Sequence, residues 1–376
     1  MKKLNFLLFA ALVAIIMSSC KKDEVIPVII EDGYYVTGTA SPYTEALSSK
    51  ALLKNGSVEG ANYSVAERIG MFEGFVYLKP GVALITQKFG TVQTTWGIEK
   101  AGKKTFDGTS DRINAVVDTA KVVQGGAVGI TVTTEGLYHI VMDKTTKAFM
   151  LIPVKNWNII GGATPAGWSD TELTKKSLNA EGGEWEITGL KLKNDKIKFR
   201  YDKGWKVPMN LDVNVFTNVS SLNDATKLTL GATDFPFAQG LGIYTVNLKW
   251  NPIKGYSATF TKTGTVAIPD PSAYTWGIIG EAVGGWSADY KALTKTGNVG
   301  YKYTYKATGV VMVAGQFKLR RDGAWDNTIG GTSSGLTVVG PVTAGSDNFI
   351  ATTPGTYTVT LVYDYENDTK VVTVAL

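Results

Sequence analysis

The sequence predicts an all-β chain of three tandem β-sandwich modules, and three observations predict it. Short runs of alternating character, such as Tyr244-Thr-Val-Asn-Leu-Lys-Trp250 and Tyr357-Thr-Val-Thr-Leu-Val-Tyr363, are bounded by Gly, Pro, Asn and Asp, and no long stretch keeps a helical period. A Gly-x-Tyr strand followed by a turn and a partner strand occurs three times, at Tyr138, Tyr244 and Tyr357. A longer composite occurs twice. Trp157-Asn-Ile-Ile-Gly-Gly-Ala163 leads into Gly167-Trp168-Ser169-Asp170, and Trp276-Gly-Ile-Ile-Gly-Glu-Ala282 leads into Gly285-Trp286-Ser287 with Asp289 beyond. The copies are offset by 119 residues at the first Trp (157 to 276) and by 120 at the last (205 to 325), as a duplicated module requires.

Taken from the N-terminus, residues 1–19 read as an export signal: Lys2 and Lys3 precede the apolar stretch Leu4 to Met17, which is shorter than the ~20 residues a spanning helix needs. Met17-Ser-Ser-Cys20 resembles a bacterial lipobox, whose cysteine is acylated. Cys20 is the single cysteine of the chain, so no disulfide forms within it and no thiol elsewhere serves a metal or a nucleophile. Residues 20–32 are then a lipidated cysteine and spacer. Each buried acyl methylene contributes on the order of 0.8 kcal/mol to anchoring. Lys21-Lys22-Asp23-Glu24 resembles the short charged tag that sends Bacteroidetes lipoproteins to the outer face of the outer membrane.

Residues 33–154 form a diverged first module that opens on Tyr34-Tyr-Val-Thr-Gly38. Residues 155–267 and 272–376 are the two duplicated modules, separated by the linker that holds Pro269 and Pro271. Each is a little over a hundred residues, the size of a sandwich with its own core, and the short proline-bearing connections suggest an elongated array. The net charge of +5 is mild and the basic residues are scattered, so nucleic acid is not an expected partner.

The second shared block carries the chemistry. In Lys198-Phe-Arg200-Tyr-Asp202 residues two apart face one way, placing Lys198, Arg200 and Asp202 opposite Ile197, Phe199 and Tyr201. Lys318, Arg320 and Asp322 repeat the pattern. An ordinary solvated face would read the same way, but each strand is followed by a turn tryptophan, Trp205 or Trp325, where a core position is hard to build. Indole faces suit the C–H faces of sugar rings, and Arg, Lys, Asp and Asn supply fixed partners for hydroxyls. Trp168 and Trp286, in Gly-Trp-Ser loops, complete a platform or lie back on the core as a lid. Asn327 and Asn210 are near enough to join. Trp157, Trp276, Trp185 and Trp250 are expected inside.

These two sets of blocks resemble those of SusE/SusF-type outer-membrane lipoproteins of Bacteroidetes, over residues 156–376 and loosely over 34–155. The resemblance implies sandwich modules of immunoglobulin-like or carbohydrate-binding-module-like form that bind starch at the cell surface. Carried over, the aromatic platform falls on Trp168 with Trp205 and on Trp286 with Trp325, and the basic residues on Lys198 and Arg200 and on Lys318 and Arg320. It implies a polysaccharide partner, α-glucan favoured, outer-membrane lipid held through Cys20, and a glycan importer complex beside it. The first module departs from the pattern: it has Gly74-Phe-Val-Tyr-Leu-Lys79 where the charged strand belongs and no Gly-Trp loop, leaving Trp96 and Lys88 as its candidates.

Catalysis is not expected. Asp170 with Asp202, or Asp289 with Asp322, are conceivable hydrolytic pairs, yet identical active sites in tandem suit an enzyme poorly. His139, the single histidine, falls on a strand and supports neither triad nor metal cluster. No cofactor is expected. The acidic segment Asp364-Tyr-Glu366-Asn-Asp368 invites calcium but reads more simply as a hairpin turn. The rival to glycan binding is a structural or adhesive array that binds a protein partner.

Overall fold

The computed structural model describes residues 30–376 except 46, 61–63, 110, 210–212, 268–273, 332–346 and 367–368. The export segment, Cys20 and Asn210 lie outside the described residues. The chain is all-β, with no α-helix among the described residues.

The first segment contributes β1 (Gly33–Thr37), β2 (Leu52–Glu59), β3 (Val65–Leu78), β4 (Gly81–Phe89), β5 (Val92–Asp107), β6 (Asn114–Gln124), β7 (Ile130–Val132), β8 (Gly136–Asp143) and β9 (Ala148–Val154). Neighbours run β1-β4-β5-β6-β9-β8-β3-β2, and β2 pairs back onto β1 with Leu53 opposite Tyr34. The sandwich expected over 33–154 is therefore a closed antiparallel barrel of eight strands, with β7 as a short addition on β4. Register shifts between Asn55 and Ser57 and between Glu99 and Gly102 bend β2 and β5 enough to curl the sheet. Tyr34, Val36, Val76, Ile85, Trp96, Ile140 and Leu151 fill the interior.

The duplicated modules share one plan. The first has β10 (Trp157–Ile160), β11 (Thr171–Glu172), β12 (Thr174–Asn179), β13 (Gly182–Leu192), β14 (Asp195–Tyr201), β15 (Lys206–Pro208), β16 (Asn214–Phe216), β17 (Asn218–Ser220), β18 (Thr229–Leu230), β19 (Phe235–Phe237), β20 (Gly242–Asn251) and β21 (Gly255–Gly264). One sheet runs β11-β10-β14-β17-β18 with β19 against β14, and a second runs β12-β13-β20-β21. The other module has β22 (Trp276–Ile279), β23 (Lys291–Val299), β24 (Lys302–Met312), β25 (Gly315–Arg321), β26 (Thr328–Ile329), β27 (Phe349–Ala351), β28 (Gly355–Asp364) and β29 (Thr369–Ala375), in the order β26-β25-β22-β23-β24-β28-β29 with β27 against β25. Registers repeat: Ile160 sits opposite Lys198, and Ile279 opposite Lys318.

Two sequence motifs acquire reasons. The glycine after each Ile-Ile pair has positive φ, 128° at Gly161 and 143° at Gly280. A Cβ there would collide with the carbonyl of Lys196 or Gln316 in the neighbouring strand, so only glycine fits. The Gly-x-Tyr repeats each close a corner: Tyr138 donates to the Thr134 carbonyl at 2.6 Å, Tyr244 to Gln239 at 2.8 Å and Tyr357 to Thr353 at 2.8 Å.

Cores are not allotted one to a segment. The last module has its own, built on Trp276, Ile278, Phe317, Leu319 and Tyr357. The barrel's outer face, through Met71, Leu137, Val141 and Ile152, packs into the same cluster as Trp157, Trp185, Phe199 and Trp250 of the middle module. The β15–β16 hairpin also leaves its module to extend the barrel sheet, with Val215 opposite Val58. Within this seam His139 is fully buried. It stacks on Phe75 at 4.5 Å, while Nδ1 lies 2.9 Å from the Tyr201 hydroxyl and Nε2 3.0 Å from Glu73 Oε2. In place of independent beads, barrel and middle module are one packed unit joined by a satisfied polar bridge.

Candidate functional site

Strand β14 alternates as its sequence requires. Ile197, Phe199 and Tyr201 are buried in the core, which leaves Lys198 and Arg200 on the other face; Phe317 and Leu319 leave Lys318 and Arg320 in the same way. The face ends there. At Asp202 and Asp322 the backbone turns left-handed, with φ of 47° and 54°, so neither aspartate continues the charged row. The Asp202 carboxylate accepts from the backbone N–H of Asn156 at 3.1 Å and Lys155 at 3.3 Å. Asp322 accepts from Thr275 N at 2.7 Å and Thr275 Oγ1 at 3.2 Å. Both tie the end of the charged strand to the entry of their module, off the face where the alternation placed them beside Lys198, Arg200, Lys318 and Arg320. Burial pushes the Asp202 carboxyl up to about 6 even though the two backbone donors favour its charged form. Asn327 is also diverted, accepting from Arg321 Nη2 at 2.7 Å and donating to Asp326 at 3.1 Å. Arg321 itself stacks on Tyr274 at 4.4 Å.

The tryptophans do come together with the arginines. The Trp168 and Trp205 ring centroids are 6.2 Å apart with planes inclined 46°, and those of Trp286 and Trp325 are 6.2 Å apart at 40°. Arg200 Cζ lies 4.7 Å from the Trp205 centroid and Arg320 Cζ 4.9 Å from that of Trp325. Lys198 Nζ is 5.6 Å from Trp205. Trp168 and Trp325 are 47% and 54% exposed, while Trp205 and Trp286 are half-buried, so neither pair is sealed in a core. Trp157, Trp276, Trp185 and Trp250 are buried as expected.

Sequence reasoning missed what holds the cations. Arg200 donates through Nε to Asp170 Oδ1 at 2.8 Å and through Nη2 to Asp170 Oδ2 at 2.7 Å. Arg320 Nε reaches Asp289 Oδ1 at 3.0 Å, and Lys198 pairs with Asp234 at 3.0 Å. The bidentate Asp170 carboxylate fixes the Arg200 guanidinium beside the Trp205 indole and leaves other N–H groups for a ligand. The signal was present: an aspartate follows both Gly-Trp-Ser loops. Asp170 and Asp202 face different partners, as do Asp289 and Asp322. The candidates of the first segment do not form a site. Trp96 lies inside the barrel, 8% exposed, with Nε1 donating to Gln87 at 3.0 Å, and Lys88 pairs with Asp32 at 2.8 Å. Among the described residues no cluster of three or more His, Cys, Asp or Glu is placed to hold a metal ion. Asp364 Oδ1 caps its own turn, accepting from Glu366 N at 3.1 Å.

No family model matches the chain, and no curated protein matches it. Among solved structures it is similar to the crystal structure of SusF from Bacteroides thetaiotaomicron, at 13% identity over 92% of this chain and 73% of that one, with a TM-score of 0.23. So loose a superposition bears on neither the site nor its ligand.

Proposed function

We propose that the chain is a non-catalytic, lipid-anchored protein of the outer cell surface that retains a polysaccharide, α-glucan favoured, on sandwich modules 155–267 and 272–376. The observation that carries this reading is the repetition of one arrangement: two indoles 6.2 Å apart, inclined 40–46°, with an arginine stacked on the second ring and held by an aspartate. Two inclined planes offer a curved surface, which suits a coiling glucan better than a flat ribbon. Aromatic contact adds about 0.5–1.5 kcal/mol beyond the buried area. Single sites of millimolar strength are worth about 4 kcal/mol, and two on one polymer gain through effective concentration while each still releases readily. Acylated Cys20 would hold the protein in the outer membrane, beside an importer that takes the captured chain. A scaffold that binds a protein partner is the second reading, and the fused barrel and middle module favour it by their rigidity.

Affinity gels cast with starch and with other soluble glycans test the proposal. The unaltered chain is expected to be retarded on at least one, and the Trp205→Ala/Trp325→Ala double variant to run freely. Equal retardation of the two would remove these rings from the site.

A further inference from the structure

A cleft of about 630 Å³ lies between the middle and last modules. The middle module lines it with the turn that precedes Trp168 and with Lys191 and Lys193; the last module lines it with Tyr274, Arg321, Tyr363 and Tyr365. It belongs to neither Trp–Arg surface, because Arg321 follows Arg320 on β25 and so takes the other face of the strand. The wall on the last module is a ladder of flat groups. Arg321 Cζ stands 4.4 Å from the Tyr274 centroid, Tyr274 lies 6.1 Å from Tyr365 at 28°, and Tyr365 lies 3.7 Å from Tyr363 at 25°. Arg321 is steadied by Nη2 donating to Asn327 Oδ1 at 2.7 Å.

The facing wall carries charge without a counterpart. Leu190 and Leu192 are buried, so Lys191 and Lys193, two residues apart, leave the strand on its other side together. Among the described residues neither ammonium group has an ion pair or a hydrogen bond, whereas Lys198 and Lys206 of the same module pair with Asp234 and Glu59. No carboxylate is among the described lining residues. Asp322 Oδ2 stands 3.7 Å from Arg321 Nε, and Glu366 stands at the rim beside Gly240. Three cations brought to one cleft repel one another, and a cleft lined by one sign of charge concentrates the opposite sign. The groups are accessible: Lys191 is exposed, and Lys193, Tyr274, Arg321 and Tyr365 are half-buried. The volume falls within the ~300–1,000 Å³ of ligand sites, far more than an inorganic ion needs. Tyrosine rings and the Tyr274 hydroxyl suit a ligand that is itself a hydroxyl-bearing ring.

We propose that this cleft binds an anionic saccharide, one whose rings carry carboxylate or sulfate groups, with Lys191 and Lys193 meeting its charges and the Tyr274–Tyr365 wall meeting its rings. The site is independent of the glucan reading. The test runs the full chain on affinity gels cast with polygalacturonate and with chondroitin sulfate. The unaltered chain is expected to be retarded on at least one of them, and to be released when salt rises from about 0.1 M to 1 M, which shortens the screening length from ~10 to ~3 Å. Lys191→Ala/Lys193→Ala should weaken retention about tenfold or more, the loss of at least one charge-assisted hydrogen bond. Lys191→Arg/Lys193→Arg, which keeps both charges, should recover most of it. Lys175→Ala/Lys227→Ala removes the same charge from exposed positions outside the cleft and should run as the unaltered chain does. Free running of the unaltered chain on both acidic polymers overturns the proposal. So does equal retardation of the unaltered chain and the Lys191/Lys193 alanine variant, or a Lys175/Lys227 variant that loses as much. None of these results bears on the glucan reading, which the starch gels decide separately.

Discussion

Trp325→Ala and Trp276→Ala remove the same side chain 49 residues apart (325 − 276) in one module, and the structure predicts opposite consequences. Trp276 is 2% exposed, stands in the core beside Ile278 and Leu319, and meets Tyr363 edge-on at 6.1 Å. Its truncation leaves a cavity that should cost about 3–5 kcal/mol. For a module near a hundred residues, each kcal/mol lowers Tm by about 4–8 °C, so the loss amounts to tens of degrees. Trp325 is more than half exposed, and its main intramolecular contacts are Arg320 and the ring of Trp286. Losing an exposed cation–π contact of about 0.5–1 kcal/mol lowers Tm by only a few degrees. Glycan affinity should move the other way: a lost stacking platform worth ~1.4 kcal/mol is a tenfold weakening. Melting curves and affinity gels run on the same samples separate the two effects. If Trp325→Ala melts as early as Trp276→Ala, or binds as tightly as the unaltered chain, Trp325 is a packing residue and the platform argument fails.

Other outcomes follow from particular contacts. Arg320→Ala should not be silent for stability, because a largely buried guanidinium pairs with Asp289, and a loss of about 1–3 kcal/mol is expected in denaturant titration. Since burial raises the Asp202 carboxyl from 3.8 to about 6, the folded state binds its proton more tightly than the unfolded state between those values. That group's contribution to stability therefore grows as pH falls from about 6 toward 4 and is lost as pH rises through 6, by up to about 3 kcal/mol. Asp202→Asn should flatten this part of the profile, and an unchanged slope would show that the carboxyl titrates normally. His139→Ala, which strips Glu73 and Tyr201 of their shared buried partner, should cost roughly 3–5 kcal/mol and lower the melting of barrel and middle module together; two separate transitions would contradict the fused seam.

What was legible in the sequence is what local periodicity encodes. Alternation placed Ile197, Phe199 and Tyr201 inside; the residues alone left Trp168 and Trp286 open between platform and lid, and the family resemblance of the duplicated blocks paired them with Trp205 and Trp325. Period-two patterns cannot tell a sandwich from a barrel, because both have one face inward; closure depends on β2 meeting β1, a pairing set by bulges and long-range register. Asp202 and Asp322 were misplaced because face arithmetic holds only while the backbone stays extended, and both residues turn left-handed one step beyond the strand. Their partners, the backbone donors of Lys155, Asn156 and Thr275, lie more than forty residues earlier and leave no mark in the sequence beyond the aspartate itself.

The hairpin at residues 206–216 changes the surroundings of one copy of a duplicated module without changing its shared block. Both copies keep the arginine, the aspartate that holds it and the two indoles, so the shared block specifies a common surface. The insertion follows Trp205 directly, and its strands pair with each other and with β2, so its length reports on the barrel rather than on the module that contains it. The barrel, which among the described residues has no Trp–Arg pair like the other two, touches this surface through the Asp111 carbonyl, which accepts from Trp205 N.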